Sequence, residues 1–198
     1  MSAYHIEKEI KFLFSREEIK SVISKLSDEK GERVYEKTTM IDNKESSMQI
    51  EDARLRVREI KKEDQKILEF SYKRRIPHEG GVVKKEEEIE VAFHTDPALF
   101  MTILEKMGFV PVSSYERFRT TYVIYNTKTT LDEFPFGWIL EIEGEEDNID
   151  KVIKKLGLKK GNSTLESCDD VYDRLCKESG STPKKDILFD DQSMPILR

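Results

Sequence analysis

The stretch YHIEKEIKFLF, residues 4–14, decides how the rest of the chain is read. Alternation sorts it into two faces. Glu7, Glu9 and Lys11 lie on one and Ile6, Ile10, Phe12 and Phe14 on the other, with Lys8 the exception. Side chains alternate between the faces of a strand, so this is a strand with one apolar and one ionic side. The arrangement recurs down the chain. In ARLRVRE (53–59), Arg54, Arg56 and Arg58 oppose Ala53, Leu55 and Val57. In LEFSYKRR (68–75), Lys73 and Arg75 oppose Leu68, Phe70 and Tyr72. In KKEEEIEV (84–91), Glu86, Glu88 and Glu90 oppose Ile89 and Val91. Arg117 and Arg119 oppose Phe118 and Tyr122, Asp132 opposes Leu131, and Glu141 and Glu143 oppose Trp138, Leu140 and Ile142.

Neighbours on such a face stand roughly 6.8 Å apart, and each face is nearly of a single sign. Like charges in a row repel, so an exposed sheet would mix its signs. A solvated face with surface ion pairs, worth ~0–1 kcal/mol each, accounts for one such strand. Six together read as a sheet that curls or closes on an ionic interior, its apolar faces turned outward beneath helices. Enclosed charges are costly unless paired, so such an interior needs water and ligands. Arginine forks match phosphate oxygens. Carboxylates suit hard cations, Mg²⁺ or Mn²⁺ rather than zinc. A polyphosphate with a divalent metal meets both needs.

The remaining elements give an α+β pattern. SREEIKSVISKLSDEKG (15–31) reads as a helix, with Ser15 and Glu18 at capping-box spacing and Gly31 beyond its end. RVYEKTTMID (33–42) reads as a strand and NKESSMQIED (43–52) as polar loop. Two strands follow, joined at Glu63–Gln65, then a turn at PHEGG (77–81) and the acidic strand. DPALFMTILEKMG (96–108) is a helix with Pro97 in its first turn. Strands are expected over SYERFRTTYVIYN (114–126), TTLDEF (129–134) and WILEIEGE (138–145). Helices follow over EDNIDKVIKKLG (146–157) and LESCDDVYDRLCKES (165–179). Short links make the strands mostly antiparallel. One domain over residues 1–178 is expected, with a tail over 179–198.

On these residues the chain resembles the CYTH superfamily, the triphosphate tunnel metalloenzymes. The E-x-E-x-K of the first strand is Glu7-Lys8-Glu9-Ile10-Lys11, and L-R-x-R is Leu55-Arg56-Val57-Arg58. A lysine in the next strand is Lys73, followed by the acidic strand EEEIEV and the basic pair Arg117 and Arg119. Asp132, Gly137, Glu141, Glu143 and Gly144 complete the pattern. The resemblance implies a closed eight-stranded antiparallel β-barrel, a triphosphate tunnel with helices packed outside. It implies that Lys11, Arg56, Arg58, Lys73, Arg117 and Arg119 bind phosphate. It implies that Glu7, Glu9, Glu88, Asp132, Glu141 and Glu143 serve Mg²⁺ or Mn²⁺, with Glu7, Glu9, Lys11 and Lys73 catalytic. The region after Gly144 looks most like the class IV adenylyl cyclase branch, which converts ATP to cyclic AMP and pyrophosphate. A triphosphatase is the alternative, and a polyphosphate or nucleotide binder without turnover the second. In the second strand only Asp42 remains of a Q-x-D-x-Y-x-D-like pattern.

Composition narrows the classes. Charged residues make up 37% of 198, yet the net charge is −6, without the basic excess of a nucleic-acid protein. No apolar run is long enough for a membrane helix, and the N-terminus lacks signal-peptide features. Cys168 and Cys176 form no C-x-x-C pair and read as free thiols. A cytoplasmic protein acting on a small triphosphate is expected, with no nucleic-acid or membrane partner and homodimerisation left open. His5, His78 and His94 are isolated, and Gly80-Gly81 is a turn rather than a phosphate loop.

Overall fold

The computed structural model describes residues 3–62, 65–76, 84–191 and 193–197, with the backbone alone described at 3–7, 84 and 85. The side chains of Glu7 and His5, the link at 63–64, His78 and the Gly80-Gly81 turn lie outside the described residues. The strands are β1 (Ala3–Phe14), β2 (Glu32–Asn43), β3 (Ala53–Lys62), β4 (Gln65–Arg75), β5 (Lys84–Phe93), β6 (Phe109–Ile124), β7 (Thr127–Phe134), β8 (Gly137–Glu143) and β9 (Asp186–Ile187). The helices are α1 (Ile19–Leu26), α2 (Ser47–Ile50), α3 (Pro97–Lys106), α4 (Glu146–Leu156) and α5 (Cys168–Ser179).

The sheet runs β2-β3-β4-β5-β1-β8-β7-β6-β9, and β2 pairs with β6 as well. That second pairing is antiparallel and extends from Glu32 opposite Thr121 to Asn43 opposite Phe109. The sheet is therefore curled. Its outer face carries the apolar core, in three patches. Ile10, Phe12, Leu131, Leu140 and Ile142 are buried under Ile19, Val22 and Leu26 of α1 and Ile149, Val152 and Leu156 of α4. Tyr115, Phe134 and Ile139 pack with Phe136 and with Val171, Tyr172 and Leu175 of α5. Ile41, Leu55, Val57 and Leu68 pack with Leu104 of α3. Period two thus sent one residue set to the helices and the other to the interior.

Local chemistry fixes the element ends. The Ser15–Glu18 box forms: the Ser15 amide donates to Glu18 Oε2 at 2.9 Å and the Glu18 amide to Ser15 Oγ at 3.4 Å. Regular helix starts only at Ile19, one residue past Glu18. Asp96 caps α3 by accepting from the Leu99 amide, with Pro97 in the first turn. Tyr125 and Asn126 both have positive φ, 48° and 61°, the two-residue turn whose twist matches a hairpin.

Three expectations are corrected. The polar stretch 43–52 holds the short helix α2, because the Asp42 carboxylate collects the amides of Asn43, Met48 and Gln49. Strand β6 begins at Phe109, not Ser114; a register shift opposite Met40/Ile41 accommodates Pro111, which has no N–H to give. A ninth strand comes from the tail: Asp186 and Ile187 pair parallel with Ser114 and Tyr115, and Ile187 is buried in the α5 patch. The Leu197 amide also donates to the Phe136 carbonyl at 2.8 Å.

Candidate active site

The inner face holds the ionic residues, and most are buried. Glu9, Lys11, Glu36, Arg58, Glu69, Glu86, Glu88, Arg117 and Asp132 are all at most 8% exposed. They alternate in sign around the sheet. From β4, Glu69 takes Arg58 Nη1 of β3 at 2.6 Å. Arg58 Nε lies 3.4 Å from Glu36 of β2, whose Oε2 is also 2.7 and 2.6 Å from Nε and Nη2 of Arg117 on β6. Arg117 Nη1 donates to Asp132 of β7 at 2.9 Å, and Asp132 accepts from Arg119 Nε and Nη2 at 2.7 and 2.6 Å. Arg119 reaches Glu141 of β8 at 2.8 Å, and Lys11 of β1 lies 3.2 Å from Glu141 and 2.9 Å from Glu9. On the remaining wall, Glu88 of β5 pairs with Arg56 at 3.1 Å and Lys73 at 3.0 Å, and Glu86 pairs with Arg54. The belt crosses all eight long strands.

Charge in this belt is held by its neighbours. Burial works against the Glu36 carboxylate, but Arg117 and Arg58 hold it well below the usual carboxylate range. Burial likewise opposes the Glu141 charge, which Lys11 and Arg119 keep far below that range. The Lys11 ammonium is held above its usual range by Glu141 and Glu9 despite its burial. Glu90 goes the other way: burial, then Glu69 and Glu88, push its carboxyl up.

Two small cavities open along the belt. The first, about 70 Å³, is lined by Glu9, Lys11, Arg54, Arg56, Arg58, Lys73, Glu86, Arg117, Arg119 and Glu141, and by Ser167, Cys168 and Asp169 from the start of α5. The second, about 30 Å³, is lined by Glu9, Arg56, Arg58, Lys73, Glu88, Glu90, Arg119, Lys128, Thr130, Glu141 and Glu143. All six expected phosphate-binding cations line one cavity or the other. Of the expected metal carboxylates, Glu9, Glu88, Glu141 and Glu143 line the second. The Glu7 backbone stands opposite Glu86. Asp132 lines neither cavity; both its oxygens face arginines.

Glu9, Glu88, Glu141 and Glu143 are an all-oxygen donor set of the kind a hard divalent cation takes, so their chemistry fits Mg²⁺ or Mn²⁺. Among the described residues no three His, Cys, Asp or Glu side chains yet converge on one point. Glu141 and Glu143 face cations instead, Glu143 with Lys128 at 3.2 Å. Alternation missed several members of the site. Glu36 and Thr38 on β2 and Glu69 and Ser71 on β4 are buried in it, Thr38 and Ser71 accepting from Arg58 and Arg56. Their signal was present as polar residues at period two, but without the single-sign row that marked the other strands. Cys168 sits at the start of α5, where burial and then Asp169 push its thiol up. Cys176 is buried and free.

The family profile described as CYTH domain matches residues 5–167. The chain belongs to the CYTH family. No curated protein matches its sequence. Solved structures share its fold. PH1819 of Pyrococcus horikoshii OT3 superposes with a TM-score of 0.68 at 20% identity, covering 83% of this chain and 97% of that one. HpAC1 of Hippeastrum, a candidate adenylyl cyclase reported to have a dominant triphosphatase activity, gives 0.62 at 18% identity, with 92% and 98% covered. A candidate adenylate cyclase from Vibrio parahaemolyticus gives 0.62 at 15%, with 85% and 98% covered. At these identities the likeness is one of fold. No helix among the described residues of this CYTH domain is long and apolar enough to cross a membrane.

Proposed function

We propose that this CYTH domain is a metal-dependent phosphoryl-transfer enzyme whose sheet closes as an eight-stranded barrel around a triphosphate. The observation that carries the reading is the convergence of Lys11, Arg56, Arg58, Lys73, Arg117 and Arg119 on the two cavities, beside Glu9, Glu88, Glu141 and Glu143. Catalysis of phosphoryl transfer is mostly positioning and charge neutralisation, and this lining supplies both. The six cations hold the phosphate oxygens, and Lys11 and Lys73 neutralise charge at the reacting phosphorus. Glu9, Glu141 and Glu143, with Glu7 on the same strand as Glu9, hold Mg²⁺ or Mn²⁺; Glu88 and Asp132 stand nearby. When bound, the metal supplies Lewis-acid neutralisation of the phosphate charge.

Cavities of about 70 and 30 Å³ are far below the ~300–1,000 Å³ of a ligand pocket. Binding is therefore an exchange of partners. Phosphate takes Lys11, Lys73, Arg56 and Arg119 from the lining carboxylates Glu9, Glu88 and Glu141, which would then be free to hold a metal, while Glu36, Glu69 and Asp132 keep their arginines from behind. The two halves of the ligand open the site together.

Cyclisation of ATP is the reading favoured by the segments after Gly144. Hydrolysis is favoured by the cavity lining, whose cations and carboxylates a bare triphosphate with metal would satisfy. The test incubates purified protein with ATP or inorganic tripolyphosphate and Mg²⁺ or Mn²⁺. Cyclic AMP with pyrophosphate selects cyclisation and free phosphate selects hydrolysis; neither product, with tight binding retained, leaves a binder. Glu9→Gln is expected to keep the fold and lose nearly all turnover, and near-wild-type turnover would sink the metal assignment.

A further inference from the structure

Three acids stand behind the cavity wall rather than in it. Glu36, Glu69 and Asp132 are 4%, 7% and 0% exposed and line neither cavity, whereas their partners Arg58, Arg117 and Arg119 do. Of the three, Glu36 joins arginines from two different strands. Its Oε2 lies 3.4 Å from Arg58 Nε of β3 and 2.7 and 2.6 Å from Nε and Nη2 of Arg117 on β6. It does so from β2, the strand that pairs with both.

We infer that Glu36 is a positioning residue that sets Arg58 and Arg117 for the substrate's phosphates from behind, without itself touching substrate or metal. The inference rests on the proposal that the cavities take a polyphosphate. Two guanidiniums brought to one site repel, and the charges of Arg58 and Arg119 do oppose that of Arg117. A carboxylate between them offsets that repulsion, and its bond from Arg117 Nε holds that rigid fork in place. Thr38, two residues along β2, accepts the hydrogen bond of Arg58 Nε at 3.3 Å, beside the Glu36 charge at 3.4 Å. The inner side of β2 thus aims the arginines of its two neighbours.

A different role predicts a different sign. A carboxylate inside the cavity would compete with phosphate, and removing it would tighten anion binding. Glu36 lies outside the lining, so its removal should weaken binding despite adding net positive charge.

The test titrates inorganic tripolyphosphate into the full-chain protein by calorimetry, for wild type, Glu36→Gln and Glu36→Asp. The neutral variant is expected to bind at least tenfold more weakly, with unchanged far-ultraviolet circular dichroism. The aspartate, which keeps the charge on a shorter arm, should recover part of the loss. A core variant, Val152→Ala in α4, lowers stability in a patch that holds no cavity-lining residue and is expected to keep wild-type affinity. Equal or tighter binding by Glu36→Gln overturns the inference, as does an equal loss in Val152→Ala, which would trace the effect to stability. If Glu36→Gln does not fold, Glu36→Asp decides: weaker binding supports the positioning role, and wild-type affinity overturns it. Failure of the wild type itself to bind tripolyphosphate refutes the polyphosphate reading, and this inference with it.

Discussion

Asp132→Asn separates two roles by the sign of its effect on stability. Asp132 is fully buried, and its carboxylate accepts three bonds of 2.6 to 2.9 Å from Arg117 and Arg119. Removing one partner of a buried ion pair costs roughly 3–5 kcal/mol, because the other charge stays buried without compensation. Here Arg117 keeps Glu36 and Arg119 keeps Glu141, and asparagine keeps one oxygen acceptor. The lower end, about 3 kcal/mol, is therefore expected. At ~2 kcal/mol/M, a typical urea slope, that lowers the midpoint by about 1.5 M. For a domain of this size it lowers Tm by roughly 6–12 °C. The measurement is urea unfolding in excess EDTA. The shift should persist in about 0.5 M NaCl, since salt screens exposed charges far more than buried ones. A carboxylate waiting among other acids for a metal would behave oppositely, because neutralising it relieves repulsion in the metal-free protein. An unchanged or raised midpoint in Asp132→Asn would refute the assignment of Asp132 to its arginines.

Acid should unfold the protein by discharging the belt. Glu36 and Glu141 are held below their ordinary value of 4.5, so their contribution is complete above that value and is lost as pH falls beneath it. Tm should be level from about pH 6 to 8 and fall steeply below about pH 4.5; a Tm that holds to pH 3 would contradict the network. Lys11, raised in the fold, keeps its full contribution below 10.5, so the alkaline limb should appear only above that value. Ser167→Ala removes one side of the capping box that starts α5, where Ser167 Oγ accepts from the Asp170 amide at 3.2 Å. A loss of about 1 kcal/mol in urea unfolding is expected, and no loss would mean the box is idle.

Strands with a single-sign inner row could be read from the chain, because alternation and charge point to the same face. That is why β1, β3, β5, β6 and β8 are legible as strands, although β6 begins at Phe109 rather than Ser114. The pairing of β2 with β6 was not legible, since it joins residues as far apart as Glu32 and Thr121. Nothing local specifies such a partner. Glu36 and Glu69 escaped for a related reason. Glu69 is a lone acid beside Ser71, Lys73 and Arg75, and Glu36 stands between Val34 and Thr38, so neither belongs to a charged row. Asp42 carried the one motif position left in β2, yet its carboxylate is spent on backbone amides at the start of α2. Strand β9 is two residues long, too short for any period, and is set by the burial of Ile187.

The alternating belt also bears on how the molecule should respond to salt. A protein that neutralises the phosphates of double-stranded DNA releases the cations condensed along it, and its affinity drops by roughly 10³–10⁵ between ~50 and ~200 mM salt for 6–10 contacts. In this protein the counter-ions of the arginines are carboxylates fixed to neighbouring strands. Arg58, Arg117 and Arg119 already have theirs as Glu69, Glu36, Asp132 and Glu141. A tripolyphosphate is too short to carry such an atmosphere, and it meets arginines whose counter-ions are tethered groups, at the same concentration in any buffer. Affinity for tripolyphosphate should therefore vary by less than about tenfold over that range of salt, so that a site made almost entirely of charge behaves as though it were shielded from the ionic strength around it.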